Sequence, residues 1–304
     1  MKYELITILG PTAVGKTRLA ALLAHKFNGE IISADSRQVY KRMNIGTGKD
    51  LEDYVVNGGT IKYHLIDIFE PTEEFNVYLF QKLFYNSFNK IQSNGKLPFL
   101  VGGTGMYLSS ILSSYNLPEV NFESQKQKEL EKQPANVLRT YLKEINTNLH
   151  NTTDLEVKER IIKAILTTEK TQELKESPRQ RIQSFIIGIK EEREKIKKNI
   201  TERLELRLAN GMIDEVKSLL EIGLSYEKLK FFGLEYKYVS MYLMNEINYN
   251  DMFQRLNSAI HKFAKRQMTW FRKMEKDGIE IHWLEGPDFN KAQELIQRFV
   301  YDGT

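Results

Sequence analysis

Apolar runs of strand length alternate with amphipathic stretches over the first and last parts of the chain. Short apolar runs cover residues 5–9, 30–33, 63–68, 97–101, 184–189 and 279–284. Helical spacing of apolar residues follows the first run and recurs over residues 75–91, after residue 193 and over residues 256–274. Strands that alternate with helices are typical of a parallel sheet with right-handed crossovers. We therefore predict an α/β fold.

The middle of the chain lacks such runs. Residues 137–145 and 157–166 have helical spacing and are flanked by polar linkers. We predict a small all-helical insertion domain over residues 117–183, between residues 1–116 and 184–304 of a discontinuous core domain. Arg160 and Lys163 share one face of the second helix, so they are candidates for a phosphate contact.

The loop after the first strand carries a phosphate-binding pattern. Its sequence is Gly10-Pro11-Thr12-Ala13-Val14-Gly15-Lys16-Thr17, and we call it the glycine loop. Glycines let backbone N–H groups converge on an anion, the following helix adds the positive end of its dipole, and Lys16 adds a cation. The Thr17 hydroxyl is suited to a Mg²⁺ shared with the phosphates. The pattern predicts a ligand with at least two linked phosphates and a P-loop NTPase-like parallel sheet with flanking helices.

The second strand ends at Asp35. Ligands of open α/β sheets bind beyond the carboxyl ends of the strands, so Asp35 should emerge beside the glycine loop. Its carboxylate could bind Mg²⁺ through water, accept a proton from a substrate, or only form an Asx-turn. After it, residues 43–49 form a glycine-containing loop with a cation, Lys49, that could close over a ligand.

One feature expected of a nucleotide-hydrolysing enzyme is missing from the fourth strand. Such enzymes usually end an apolar strand with an aspartate that holds Mg²⁺. Residues 97–101 run instead into Gly102-Gly103-Thr104, and Asp67 is the nearest alternative. This weakens an ATPase or kinase interpretation, although a phosphate loop can equally hold a diphosphate that is a leaving group.

Composition sets broad limits. The 304 residues are 41% hydrophobic and 28% charged, as in ordinary globular proteins. The absence of cysteine excludes disulfides, thiolate metal sites and cysteine nucleophiles. With no signal peptide or membrane-spanning run, we expect a cytoplasmic protein that does not bind membranes.

The net charge of +4 is too small to indicate a nucleic-acid partner by itself. The last long helix, however, is locally very basic, which is typical of a nucleic-acid contact. Its cations are Arg255, Lys262, Lys265, Arg266, Arg272, Lys273 and Lys276.

Five motifs taken together resemble the tRNA dimethylallyltransferase (tRNA isopentenyltransferase) family in order and spacing over nearly the whole chain. They are the glycine loop, Asp35-Ser36-Arg37-Gln38-Val39-Tyr40, Ile45-Gly46-Thr47-Gly48-Lys49, Val101-Gly102-Gly103-Thr104-Gly105-Met106-Tyr107 and Ala264-Lys265-Arg266-Gln267-Met268-Thr269-Trp270-Phe271.

This resemblance implies transfer of a dimethylallyl group from dimethylallyl diphosphate to N6 of the adenosine just 3′ of the anticodon of tRNA, position 37, with Mg²⁺ as cofactor. The glycine loop would hold the diphosphate, with Thr17 on the metal. Lys16 and Arg203 would stabilise the departing diphosphate, Asp35 would accept the proton of the attacking amine, and Thr104 would lie near that amine. We expect a monomer.

The resemblance also implies tRNA contacts. Those on the extruded nucleotide would come from Asp35, Ser36, Arg37, Gln38 and Thr104, and those elsewhere from Glu159, Arg160, Ile161, Ile162, Lys163, Lys265 and Arg266. Departures from the family pattern fall at residues 150–154, Leu166, Asn199, Ile260 and His261, in parts expected to touch tRNA.

Two other classes stay open at this stage. A small-molecule or nucleotide kinase would bind ATP in the glycine loop, but it would not account for the basic helix. A diverged, non-catalytic tRNA-binding protein would account for the helix, but it would leave Asp35 without a purpose.

Overall fold

The computed structural model describes residues 3–113, 125–146, 155, 157–174 and 182–302. The strands are β1 (Leu5–Leu9), β2 (Gly29–Ala34), β3 (Val55–Val56), β4 (Gly59–Thr60), β5 (Tyr63–His64), β6 (Leu97–Gly102), β7 (Ser184–Lys190) and β8 (His282–Glu285). The helices are α1 (Lys16–Lys26), α2 (Val77–Ser93), α3 (Gly105–Leu112), α4 (Gln125–Glu131), α5 (Ala135–Ile145), α6 (Lys158–Leu174), α7 (Arg193–Ala209), α8 (Met212–Glu221), α9 (Tyr226–Phe231), α10 (Leu234–Leu243), α11 (Tyr249–Lys276) and α12 (Phe289–Ile296).

Six strands form one parallel sheet in the order β5-β2-β6-β1-β7-β8, while β3 and β4 form a separate antiparallel pair. This confirms the predicted α/β fold with flanking helices. The ends of three central strands are level, because Leu9 pairs with Gly102 and Gly102 pairs with Ala34. The three loops that follow β1, β6 and β2 therefore start side by side at one edge of the sheet.

Successive residues of the central strands pack into different layers, because side chains alternate across a strand. Ile6, Ile8 and Phe99 belong to a buried cluster that includes α1 and α12. Leu5, Leu9 and Leu100 belong to a second cluster, which includes α2, α3 and the C-terminal half of α11. Burial on both faces explains why these strands are continuous apolar runs rather than alternating ones.

A third buried cluster lies among α7, α8, α9, α10 and α11 and also contains Val39, Tyr40 and Met43. Three of these helices, α8, α9 and α10, lie in a stretch for which the sequence patterns predict no elements. Their packing places α7 across from the loops that follow β2.

The predicted strand at residues 63–68 is wrong in its length. Only Tyr63 and His64 pair with β2. Leu65 and Asp67 have φ values of 63° and 54°, in the left-handed region, so the backbone leaves the sheet there. His64 has a structural role, because its Nε2 lies 2.8 Å from Oε2 of the buried Glu30.

The chain divides into two compact units, residues 1–113 with 181–304 and residues 114–180. In the second unit, the described helices α4, α5 and α6 enclose a core of Leu138, Leu142, Ile161, Ile162, Ile165 and Leu166. Helix α6 continues eight residues beyond the predicted end at residue 166. Residues 114–124 and 150–154, which include the predicted first boundary and one departure from the family pattern, lie outside the described residues.

Within the described part of the chain, no helix is long and apolar enough to cross a bilayer.

Candidate active site

The glycine loop joins β1 to α1 and turns through two left-handed residues, Ala13 at φ 64° and Gly15 at φ 75°. Gly10 is required by close packing, because a Cβ there would lie 2.7 Å from the carbonyl oxygen of Ile189 on the neighbouring strand β7. Lys16 begins α1, and its ammonium donates to the Pro11 carbonyl at 3.1 Å. The loop thus carries a cation at the start of a helix, as an anion site requires.

Lys16 is half-buried and its ammonium is poorly solvated. Burial lowers its pKa to about 8, the charge of Asp35 partly offsets this, and the charge of Arg203 lowers the pKa further. Lys16 therefore interacts electrostatically with both Asp35 and Arg203, although α7 lies far from it in sequence. Another anion besides Asp35, bound beside the Lys16 ammonium, would stabilise its charged form.

A cavity of about 410 Å³ opens beside the glycine loop. The glycine loop, helix α7 and the segment before β3 form its wall. It is lined by Ala13, Gly15, Lys16, Thr17, Gln38, Gly48, Lys49, Asp50, Asp53, Tyr54, Asn199, Glu202, Arg203 and Leu206. The structure thus brings the predicted residues Lys16, Thr17, Gln38 and Arg203 to one cavity.

Arg203 is paired in this cavity. Its Nη2 lies 2.6 Å from Oδ2 of Asp50, and the two side chains are 36% and 53% exposed. Nearby, Asn199 donates to the Ala13 carbonyl at 3.1 Å, so this departure from the family pattern holds the glycine loop against α7. Sequence patterns assign no role to Asp50 or Asp53, because the wall opposite them comes from a helix about 150 residues later.

Lys49, the cation of the loop of residues 43–49, lines the cavity, but its ammonium is already paired within the protein. The Lys49 ammonium is buried, and it donates to the Asp67 carboxylate and to the Tyr40 carbonyl. The Asp67 carboxylate is thereby engaged by Lys49, and Asp67 is not among the residues that line this cavity in the described part of the chain. From the other side, Glu215 accepts from the N–H groups of Asn44, Ile45 and Gly46 at 2.7–2.9 Å and fixes the loop.

Asp35 lies at the end of β2 and does form an Asx-turn. Its Oδ1 accepts from the N–H of Arg37 at 2.8 Å and from that of Gln38 at 3.4 Å. Beside it, the N–H of Ser36 donates to Oγ1 of Thr104 at 3.3 Å. Asp35 and Thr104 are thus neighbours at the ends of two paired strands. In the part of the chain that the structure describes, no group donates a hydrogen bond to Oδ2 of Asp35.

Helix α11 ties the loops together. Gln267 accepts from the N–H of Thr12 and donates to the Gly103 carbonyl, both at 2.9 Å. One turn later, Trp270 Nε1 donates to Oγ of Ser109 at 2.8 Å. The Thr12 N–H group is therefore paired with Gln267 in this structure, and the contact of Thr12 with a diphosphate stays a prediction. The motif that identifies α11 in the sequence serves packing through Gln267 and Trp270 and leaves its cations outside.

The chain is similar to known proteins over almost its entire length. The sequence model described as "IPP transferase" matches residues 38–274, and that described as "Isopentenyl transferase" matches residues 3–67. A relative from Geotalea uraniireducens, "tRNA dimethylallyltransferase 1", is 49% identical, with 98% of each chain covered. A relative from Phocaeicola vulgatus, "tRNA dimethylallyltransferase 2", is 50% identical, with 97% of each chain covered. The chain belongs to the IPP transferase family.

Solved structures agree with this assignment. The tRNA isopentenylpyrophosphate transferase of Bacillus halodurans has a TM-score of 0.70 at 32% identity, covering 98% of this chain and 96% of that one. A eukaryotic dimethylallyltransferase, solved acting on tRNA, has a TM-score of 0.78 at 23% identity and covers 99% of this chain and 80% of that one, which shows likeness of fold. The family resemblance recognised in the motifs is confirmed.

In this IPP transferase, two of the predicted tRNA contacts are buried instead. Ile161 is 0% and Ile162 4% exposed, because both fill the core of the helical unit. Their side chains are not available to RNA. Glu159 and Arg160 are exposed on the same helix, and Lys163 pairs with Glu159 at 2.9 Å.

Sequence reasoning missed an exposed aromatic beside the Asp35 loop. Phe231 ends α9, is 56% exposed, and lies under the guanidinium of Arg37 with 5.4 Å to the ring centroid. Nothing in the local sequence distinguishes it from the buried Phe232 that follows. Lys265 and Arg266 are exposed on α11, as a nucleic-acid contact requires.

Proposed function

We propose that this protein transfers a dimethylallyl group from dimethylallyl diphosphate to N6 of adenosine 37, next to the anticodon of tRNA, and releases diphosphate. The observation that carries the proposal is the juxtaposition, in a member of the IPP transferase family, of the glycine loop with the Asp35–Thr104 pair at one edge of the sheet. The glycine loop suits a leaving diphosphate, and the Asp35–Thr104 pair suits an amine that must lose a proton.

The donor side must stabilise charge that develops as the C1–O bond breaks. Lys16, at the start of α1, supplies a cation and the helix dipole supplies partial positive charge in the same place. Arg203 joins them when the diphosphate displaces the Asp50 carboxylate from its guanidinium. The negative charge of the leaving group thus meets two cations held on different helices.

The cavity suits Mg²⁺ as the third cation. Its wall offers the Thr17 hydroxyl and the Asp50 and Asp53 carboxylates, which are hard oxygen donors. Proteins usually hold Mg²⁺ with one or two such groups together with substrate phosphates and water. Mg²⁺ would supply charge neutralisation on the diphosphate, and Thr17 would hold it, with Asp50 or Asp53 as further candidates.

The acceptor side must remove a proton as N6 attacks C1. The Asx-turn fixes the Asp35 carboxylate through Oδ1, which leaves Oδ2 for the amine. Thr104 lies next to it and offers a hydroxyl to the same nucleotide. The Asx-turn and the role as proton acceptor are therefore compatible, since they use different oxygens.

Binding of tRNA would use the exposed cations of α11, of which Lys265 and Arg266 are the members predicted from the motif. Arg37 and Phe231 offer a planar surface near Asp35 on which an unstacked base could lie. In the helical unit, Arg160 and Lys163 would supply the contacts with tRNA. We further propose that the protein acts as a cytoplasmic monomer.

The test is incubation of the purified protein with dimethylallyl diphosphate, Mg²⁺ and unmodified tRNA, followed by nucleoside analysis. Prenylated adenosine at position 37 is the expected product. Phosphorylation of a small molecule from ATP without prenylation would favour a kinase, and tRNA binding without either product would favour a non-catalytic protein. Omitting Mg²⁺ should abolish turnover.

A further inference from the structure

Gln267 connects the two loops on which the proposed reaction depends. Its carbonyl oxygen accepts from the Thr12 N–H of the glycine loop, and its amide nitrogen donates to the Gly103 carbonyl, next to Thr104. Both bonds are 2.9 Å long, and the residue is only 7% exposed. The three residues are separated by 255 and 164 positions in sequence, so the side chain is a tertiary link and not a local cap.

Helix α11 packs directly against the loop after β6 and the start of α3. A Cβ at Gly103 would overlap the Gln267 amide, and a Cβ at Gly105 would overlap the Trp270 indole. Helix α11 therefore contacts the backbone of the loop after β6 directly, which only glycine permits. Because Trp270 also bonds to Ser109 on α3, movement of α11 would move this loop as a whole.

A glutamine is the side chain that fits this place chemically. The site needs one side chain that ends in both an acceptor, for the Thr12 N–H group, and a donor, for the Gly103 carbonyl. An ionised glutamate has no donor and would put a charge against the Gly103 carbonyl. A methionine fills the space but leaves both backbone groups unpaired in a buried position.

From this geometry we infer that Gln267 is a positioning residue that sets the separation between the donor loop and the acceptor loop. The inference rests on the proposed function. The diphosphate is held by the loop that Thr12 belongs to, and the amine by Thr104 and Asp35. The new C1–N6 bond forms only when both are in register, and displacements of about 1 Å can cost about a hundredfold in rate.

The test compares Gln267→Met and Gln267→Glu with the wild type in single-turnover reactions with dimethylallyl diphosphate and tRNA. We expect the rate of prenyl transfer to fall by about 10- to 100-fold in both variants at pH 8. The dissociation constants of donor and of tRNA, measured separately, should change by less than about threefold, because the binding groups remain.

A pH profile separates positioning from general damage. When protonated, the carboxyl introduced by Gln267→Glu regains a donor beside its acceptor, and burial raises the pKa of such a group. The rate of this variant relative to the wild type should therefore rise as the pH is lowered from 8 to 6. The relative rate of Gln267→Met should stay constant over that range.

Gln81→Met is the matched control. Gln81 is also a buried amide, and it donates to the Ser110 carbonyl at 2.9 Å in the same part of the fold. Among the hydrogen bonds that the structure describes, none joins Gln81 to either site loop. Its loss should lower the melting temperature and leave the transfer rate per folded molecule unchanged.

Transfer rates within threefold of the wild type in the Gln267 variants, or losses that match those of Gln81→Met, would overturn the inference while leaving the proposed function standing. A flat relative pH profile for Gln267→Glu would also overturn it. A wild type that makes no prenylated adenosine would refute the proposed function, and the inference with it.

Discussion

Arg203 and Asp50 form an ion pair across the cavity beside the glycine loop, with Nη2 and Oδ2 2.6 Å apart. Both side chains are partly exposed, so the pair is worth at most about 1 kcal/mol. The Asp50 carboxylate occupies the place at the guanidinium that the diphosphate would need. In the proposed reaction, donor binding would therefore exchange the Asp50 carboxylate for the diphosphate at Arg203.

Asp50→Asn should lower KM for dimethylallyl diphosphate by about two- to fivefold, because Arg203 no longer has to release a carboxylate. Glu52→Gln is the control, since it removes one negative charge from an exposed position in the same turn. Steady-state kinetics at saturating tRNA would measure the effect. A rise in KM would instead indicate that Asp50 holds the metal.

Asp35→Asn tests the proton acceptor while keeping the turn. The amide oxygen can still accept from the N–H groups of Arg37 and Gln38, but the side chain can no longer take a proton. Turnover should fall by about a hundredfold or more, with tRNA affinity nearly unchanged. Asp35→Ala should lose turnover to a similar extent and should also lose the Asx-turn. A near-normal rate in Asp35→Asn would reject the role of Asp35 as proton acceptor.

Lys16→Met should stabilise the fold but weaken the binding of dimethylallyl diphosphate. Burial lowers the pKa of Lys16 to about 8, against 10.5 for an ordinary lysine, so the charged form costs folding about 3 kcal/mol below pH 8. The variant should therefore melt higher than the wild type at pH 7, and its advantage should shrink between pH 8 and 10.5.

The same variant should bind dimethylallyl diphosphate at least about tenfold more weakly, because it lacks a charge-assisted contact. Lys26→Met, at the exposed end of the same helix, is the control and should change neither property. Calorimetry across the pH range would measure both. A lower melting temperature for Lys16→Met would show that the Lys16–Pro11 bond outweighs the cost of burial.

Glu30 should protect the fold against acid. It is 2% exposed; burial alone would raise its pKa, but hydrogen bonds with His64, Lys96 and Lys62 lower it to about 2. Its ionised form stabilises the fold above pH 4.5, and this contribution is lost as the pH falls through 2.

Glu30→Gln should therefore cost about 3 kcal/mol at pH 7, and the cost should shrink between pH 4.5 and 2. Urea unfolding at a series of pH values would measure it. Glu294→Gln, an exposed change on α12, should have no such effect. A cost that does not depend on pH would mean that the ion cluster is not its source.

Lys265→Ala combined with Arg266→Ala should weaken tRNA binding by about 1–2 kcal/mol and make it less dependent on salt. Both cations are exposed on α11, and no carboxylate lies within 4 Å of either among the described residues. The rate at saturating tRNA should be unchanged. An unaltered salt dependence would place the tRNA elsewhere.

The sequence by itself determined the sheet and the identity of its loops. Apolar runs buried on both faces have a strong local signal, and the spacing of Gly10, Gly15 and Lys16 follows from backbone geometry that any anion-binding turn requires. Asp35 and Thr104 could be placed near that turn because the carboxyl ends of parallel strands share one edge. These features depend on local sequence patterns together with the general rule for parallel sheets.

Only the tertiary structure decided which of these groups are paired. Thr12 is bonded to Gln267, Lys49 points to Asp67, and Arg203 to Asp50, and each pairing joins segments whose packing no local pattern encodes. Likewise, a helical pattern shows that Ile161 lies on a helix but not whether that helix buries it. Hydrogen bonds and burial between distant segments depend on how whole elements pack, and that is settled by the folded chain.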